Sequence, residues 1–256
     1  MAVSLKSARE IELMRQAGRI NALALAEMAT AIKPGITTAA LNKIAERVIA
    51  QHKGQPAFKG VPGPVPYPYA TTISVNEELI HGMPGKRALR AGDLVKLDCG
   101  VRYEGYVADS AITVGVGAID DRARWLLEVT ESALARGIAQ ARSGNRMGDI
   151  AAAIQGYVEG GHGLFLAREY EGHGVGRELH EAPDVPNRGR AGTGLALRAG
   201  MTIAIEPMVI AGDPDLEEAA DGWTVRTVSG AWTAHFEHTV AITDGEAEIL
   251  TLTADR

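Results

Sequence analysis

Cysteine is nearly missing from this chain: 256 residues contain one, Cys99. A single thiol cannot close an internal disulfide, and a reducing cytoplasm is the expected compartment. Positive charge is also short. Lys and Arg number 26 against 32 Asp and Glu, giving a net charge of −6 and a pI of about 5.7. A protein that grips phosphates needs a basic face, so no specific nucleic-acid partner is expected. No apolar run approaches the roughly 18 residues of a membrane span. The opening residues, MAVSLKSAREIELM, have neither a continuous apolar core nor a cleavage-site pattern. We therefore expect no membrane partner and no signal peptide. Hydrophobic residues at 46% and charged residues at 23% are enough for an ordinary packed core.

Periodicity lays out the elements. Ser7 and Glu10 fit a capping box. Ile11, Met14, Ile20, Leu23 and Ala24 then recur at helical spacing, up to a stop near Pro34-Gly35. Thr37 or Thr38 caps a second helix with the stripe Leu41, Ile44, Ala45, Val48 and Ile49. Residues 55–69 are rich in Pro and Gly and read as a loop, either at the surface or lining a pocket with Tyr67 or Tyr69. Residues 70–75 read as a strand, and 93–101 and 106–114 as a hairpin around Glu104-Gly105. Asp120 opens a long helix that Gly144 ends, and a further helix is expected over 147–159. Strands dominate from Met201 to Leu252. Placing Gly35 over Gly144 aligns the two helix pairs, which suggests two α/β halves sharing one sheet system. No linker is visible, and we expect residues 1–256 to form one domain.

Five residues stand out: Asp98, Asp109, His173, Glu206 and Glu237. The four carboxylates lie inside or at the edge of apolar, strand-like stretches, where burial is costly unless a cation neutralises them. Two divalent ions would cancel their charge. In a hairpin centred between residues 103 and 104, Asp98 and Asp109 would face each other directly. Asp109, beside Ser110, has the alternative of capping a turn; Asp98, inside LVKLDCGV, is harder to explain that way. His173 lies between glycines in EGHGVGRELHEAP, with His180 seven residues on, a spacing unlike that of the HExxH zinc helix. Glu206 and Glu237 each interrupt an apolar run, and each taken alone could be an edge residue facing water. Oxygen donors with one imidazole suit Mn, Fe(II), Co or Zn. Two such ions activate a water and polarise a carbonyl. Cys99 follows Asp98, so alternation turns it to the other face, as a small buried residue.

At these residues the chain resembles the type I methionine aminopeptidases, metallopeptidases of the pita-bread fold. The segments that carry the likeness are SVNEELIHGMP, LVKLDCG, GYVADSAIT, GHGVGRELHEAP, AIEPMV, DGWTVRT and FEHTVAIT. They occur in the family's order, between about residues 4 and 253. The resemblance implies an α+β, pseudo-twofold fold with a curved antiparallel sheet covered by helices, in a single catalytic domain. It implies removal of the N-terminal methionine from nascent polypeptides when the second residue is small, by attack of a metal-activated hydroxide on the first peptide bond.

The same resemblance implies the roles. Asp98, Asp109, His173, Glu206 and Glu237 would hold two divalent metal ions (Co, Mn, Fe(II) or Zn), with Asp109 and Glu237 bridging. His81 would contact the departing nitrogen and His180 the scissile carbonyl, while Glu206 would also carry a proton. Tyr67, Thr72 and Trp223 would line the methionine pocket. Pro64 stands where the family often has an aromatic residue and Leu179 where it often has Phe, so pocket shape is where this chain departs. Only 26 positions separate His180 from Glu206, leaving no room for the type II insertion. N-termini of nascent polypeptides are the expected partners, with the ribosome as a candidate and a monomer as the working state. Met1-Ala2 would make the protein its own substrate. The other readings are a proline-directed peptidase (prolidase or aminopeptidase P) of the same fold, whose members generally carry an extra N-terminal domain, and an inactive binding protein, which should have lost ligands.

Overall fold

A computed structural model describes residues 3–253, so Met1 and Ala2, on which the expectation of self-processing rests, lie outside the described residues. Helix α1 spans Ala8–Ala31 and starts at the anticipated capping box: Ser7 N donates to Glu10 Oε2 at 2.8 Å, and Glu10 N donates to Ser7 Oγ. Helix α2, Thr38–Gln51, is capped by Thr37, whose hydroxyl accepts from Ala40 N. Helix α3, Asp121–Gln140, is capped by Asp120. Helix α4, Met147–Gln155, runs on into a π-helical stretch, Gly156–Gly161, where an unbroken helix to 159 is the sequence expectation. Leu23 also differs: it is exposed, because the buried face of α1 runs through Met14, Ala17, Ala24 and Met28 and turns to solvent at that position. No helix among the described residues is long and apolar enough to cross a membrane.

Six strands carry the centre of the main sheet: β1 Thr71–Val75, β2 Leu94–Tyr103, β3 Tyr106–Gly115, β4 Gly172–Gly174, β5 Thr202–Ile205 and β6 Glu237–Ala241. They pair antiparallel in the order β1-β2-β3-β6-β5-β4, which reads as two mirrored halves meeting between β3 and β6. The anticipated repeat is present in the hydrogen bonds. Gly35 N donates to Leu89 O, and Gly144 N to Leu197 O. Gly92 N donates to Val116 O, and Gly200 N to Ile242 O. The bridge Thr37–Ala88 has its counterpart in Arg146–Ala196.

Alternation divides the sheet into two faces. Val95, Leu97, Cys99 and Val101 point to α1 and α2, packing with Leu25, Met28, Leu41 and Ile49. In the second half Ile203, Ile205 and Val240 pack with Leu126, Val129, Ile150 and Ile154 of α3 and α4. The helices therefore cover one face, and the residues between these, Asp98 among them, point to the other. Two small three-stranded sheets complete the fold. One joins Phe165–Leu166, Met208–Ile210 and Thr233–His235; the other joins Glu78–Ile80, Leu216–Glu218 and Val225–Thr227.

The β2–β3 register corrects one expectation. Tyr103 pairs with Tyr106 across Glu104 (φ 45°) and Gly105 (φ 85°), a two-residue turn whose positive φ values match the twist of a hairpin. The hairpin is centred between 104 and 105, so Asp98 pairs with Ala111 and Asp109 with Gly100. The two aspartates are diagonal neighbours and not directly opposed. They still share a face, because a two-residue offset preserves the alternation.

Asn21 of α1 ties the helix layer to the back of this hairpin. It is fully buried; its Nδ2 donates to Cys99 O, and its Oδ1 accepts from Ser110 Oγ. Asn21→Leu would strand both partners in the core, at a cost of about 2 kcal/mol or more. We expect urea unfolding to show a lower midpoint with an unchanged slope; an unaltered midpoint would contradict this account.

Candidate active site and metal centre

The register of the sheet gathers the acids. Thr72, Asp98, Ala111 and Glu237 lie side by side across β1, β2, β3 and β6. Glu206 continues the row one residue past the end of β5, since His238 pairs with Ile205. Asp109 sits two residues before Ala111, and His173 pairs with Ala204, two residues before Glu206. Asp98, Asp109, His173, Glu206 and Glu237 all line one cavity of about 120 Å³, together with His81, His180, Tyr67, Thr72 and Trp223. Phe58, Val61 and Leu179 complete the lining.

Local structure explains each placement. Gly172 and Gly174 flank His173 because a side chain there would meet Ala204 O or Ala182 O at 2.3 Å. His173 Nδ1 lies 2.9 Å from Gly174 O; a carbonyl only accepts, so Nδ1 carries the hydrogen and the Nε2 lone pair faces the cavity. His180 lies within a turn that Glu181 closes: Glu181 Oε1 accepts from Arg177 N and Glu178 N, while its Oε2 pairs with Lys6 at 2.6 Å. The His173 and His180 rings meet edge to face at 4.3 Å. His81 has φ 59°, a conformation few non-glycine residues adopt. Tyr67 braces it, its buried hydroxyl donating to Thr71 O at 3.0 Å and lying 3.2 Å from Gly82 O.

The Pro-rich loop folds inward here. Tyr67 packs edge to face on Trp223 at 4.9 Å, and Trp223 Nε1 donates to Val65 O. Tyr69 packs behind Tyr67 and does not line the cavity. Leu179 lines the wall, whereas Pro64 sits outside it, near Gly222. Phe58 and Val61 line the cavity as well, although composition marks the loop without saying which of its side chains turn in. His235 also stands beside the acids, 3.2 Å from Glu206; it lies two residues before Glu237, and strand alternation is the signal in the sequence that points to it.

The electrostatics follow from burial. Asp98, Asp109 and Glu237 are 8%, 4% and 2% exposed, and no Lys or Arg pairs with them among the described residues. Burial first, with the Glu206 charge adding to it against the opposing pull of His235, pushes Asp98 up to about 7. Burial, reinforced by neighbouring carboxylates, holds Asp109 and Glu237 well above the usual range. Glu206 is the exception: burial would raise it, but the imidazoles of His235, His173 and His81 together outweigh that and hold it low. Burial brings His81 and His180 down to about 4, so both rings are neutral near pH 7.

These residues fit a divalent metal. Asp98 Oδ1, Asp109 Oδ1 and Glu237 Oε1 are buried without any hydrogen-bond partner. Donor atoms of Asp109, His173 and Glu237 lie within 4.8 Å of one another, as do those of Glu206, His235 and Glu237. Glu206 Oε1 lies 3.6 Å from His173 Nε2. Hard oxygens with an imidazole are a donor set for first-row divalent ions.

The profile of metallopeptidase family M24 matches residues 12–244, almost the whole chain. The chain belongs to this family. Methionine aminopeptidase 1 of Bacillus subtilis is 48% identical over 246 residues, covering 96% of this chain and 98% of that protein. The crystal structure of methionine aminopeptidase from Thermotoga maritima superposes with a TM-score of 0.95 at 45% identity, covering 98% of this chain and all of that one. The prolidase from Pyrococcus furiosus shares the fold alone, with a TM-score of 0.77 at 24% identity over 65% of its length. The pseudo-twofold α+β sheet described above is thus the pita-bread fold of family M24, and divalent metal use comes with the family.

One consequence concerns the metal-free protein. The folded Asp109 carboxyl holds its proton well above its ordinary pKa of 3.8, whereas the unfolded chain releases it there. Its contribution is therefore complete below that pH and is lost as pH rises toward and through the folded value. Asp109→Asn does not ionise, and the other titrating groups are common to both proteins. In EDTA, we expect this variant to gain melting temperature over the wild type at pH 8 relative to pH 5, and to lose the stabilisation that Mn(II) confers. Thermal scans giving the same difference at both pH values would contradict the assigned cause.

Proposed function

We propose that this chain removes the N-terminal methionine from polypeptides whose second residue is small. The observation that carries this reading is the junction of an acidic, metal-fitting row with a small, mostly apolar pocket. The cavity of about 120 Å³ is lined beside the acids by Phe58, Val61, Tyr67, Leu179 and Trp223, a volume that suits one side chain. That geometry favours an exopeptidase. Its aromatic and aliphatic wall suits a flexible, polarisable thioether.

Asp98, Asp109, His173, Glu206 and Glu237 would hold two divalent ions, drawn from Co, Mn, Fe(II) or Zn. When bound, the ions supply Lewis acidity, lowering the pKa of a water and polarising the scissile carbonyl. The protein's own groups do the rest. His180, neutral near pH 7, donates an N–H hydrogen bond to the carbonyl oxygen as charge develops there. His81, also neutral, faces the nitrogen that departs. Glu206 accepts the proton of the attacking water and passes it to that nitrogen. Thr72 donates to Asp98 Oδ2 at 3.2 Å and holds this carboxylate in place.

On this reading the substrates are the N-termini of nascent polypeptides, met in the cytoplasm at the ribosome by a monomeric, single-domain enzyme. Curated relatives named methionine aminopeptidase at 46–48% identity over nearly the full chain support it over the proline-directed alternative.

The test is hydrolysis of Met-Ala-Ser against an X-Pro dipeptide across Mn(II) and Co(II) titrations. We expect turnover of Met-Ala-Ser and little of the X-Pro substrate, and no turnover for Asp109→Ala. The reverse preference would overturn the assignment. His180→Ala should lower kcat by roughly 100- to 1,000-fold, as expected for loss of one oxyanion donor; a change confined to KM would remove that role.

A further inference from the structure

His235 is a buried imidazole without an assigned task. It is 1% exposed, it does not line the cavity, and neither ring nitrogen has a hydrogen-bond partner. Nε2 nevertheless lies 3.2 Å from Glu206 Oε2, off the line of a hydrogen bond. The other oxygen of the same carboxylate, Oε1, faces His173. Glu206 is thus shared between two imidazoles, one on the cavity side and one behind.

The twofold repeat gives an independent reason for this position. The matched hydrogen bonds set Gly92 against Gly200 and Val116 against Ile242. Counting six residues on from each glycine brings Asp98 onto Glu206. Counting seven back from Val116 and Ile242 brings Asp109 onto His235. The register agrees. Asp98 pairs with Ala111, and Asp109 lies two residues earlier on the partner strand. The pairings His238–Ile205 and Met208–His235 set Glu206 against Glu237, and His235 lies two residues earlier on that partner. Each half therefore places a carboxylate beside a diagonal neighbour: Asp109 for Asp98, His235 for Glu206.

The backbone beneath the ring is firmly held. His235 N donates to Thr113 Oγ1 at 2.9 Å, and Thr113 Oγ1 donates to His235 O at 2.7 Å. Two residues earlier, Thr233 Oγ1 accepts from the fully buried Lys96 at 3.0 Å.

We propose that His235 is the positioning residue of Glu206: its Nε2–H donates to Oε2 and so holds Oε1 toward His173 and the metal. A carboxylate only accepts, so this contact also sets the tautomer of the ring. The role rests on the reading of Glu206 as ligand and proton carrier. Groups that orient a metal ligand in this way typically contribute 10- to 100-fold to metal affinity or activity.

The test compares His235→Gln, which keeps an N–H donor, with His235→Leu, which keeps bulk without one. Mn(II) binding to the EDTA-treated proteins is followed by calorimetry, kcat and KM on Met-Ala-Ser are measured separately, and circular dichroism reports folding. We expect His235→Leu to bind Mn(II) at least about 10-fold less tightly and to lose about 10-fold or more in kcat with KM little changed. His235→Gln should recover most of both. Wild-type Mn(II) affinity and kcat in His235→Leu would overturn the proposal, as would His235→Gln folding normally yet failing as badly as Leu. Should the wild type not cleave Met-Ala-Ser at all, the functional reading fails, and the Mn(II) titrations still decide the role of His235.

Discussion

The constraint on which this structure turns is electrostatic. Four carboxylates share one face of a sheet, three of them almost out of contact with water, and no basic side chain pairs with those three among the described residues. Burial and mutual repulsion both push protons onto them. Such a cluster is tolerable when protonated or when cations occupy it. Asp98, Asp109 and Glu237 each keep an oxygen without a protein partner, an arrangement that cations would complete.

The fold is arranged around that constraint. Two halves, each with a long helix, a short helix and three strands, meet between β3 and β6. The helices cover one face and bury the apolar alternates of every strand. The acids are left on the other face, drawn from both halves into a single row. The duplicated scaffold carries unlike side chains at matched places: Asp98 against Glu206, Asp109 against His235. At these matched places one half offers only oxygen and the other an oxygen with an imidazole. Glu206, the carboxylate surrounded by rings, is the one whose pKa is held low.

Much of this was legible in the chain. The capping box at Ser7, the caps at Thr37 and Asp120, the hairpin strands and the helix-pair repeat all follow from local chemistry, and the structure has them where expected. The errors have identifiable causes. The Asp98–Asp109 register was off because a one-residue choice of hairpin centre displaces every pair by two. The inward side chains of the Pro-rich loop, Phe58 and Val61, obey no period. His235 was overlooked because a histidine between Ala234 and Phe236 looks like an ordinary strand residue until its depth is known.

The sequence by itself determined which groups the protein could bring to a site. Acids set among apolar residues in an alternating pattern must face one side of a sheet, and their ordered motifs marked the family. What only the tertiary structure decided is which of these groups touch. Pairing across β6 and β5 joins residues more than 30 positions apart, and pairing across β3 and β6 joins residues more than 120 apart. Contacts over such separations depend on strand order and turn length, and neither is written in the residues that meet.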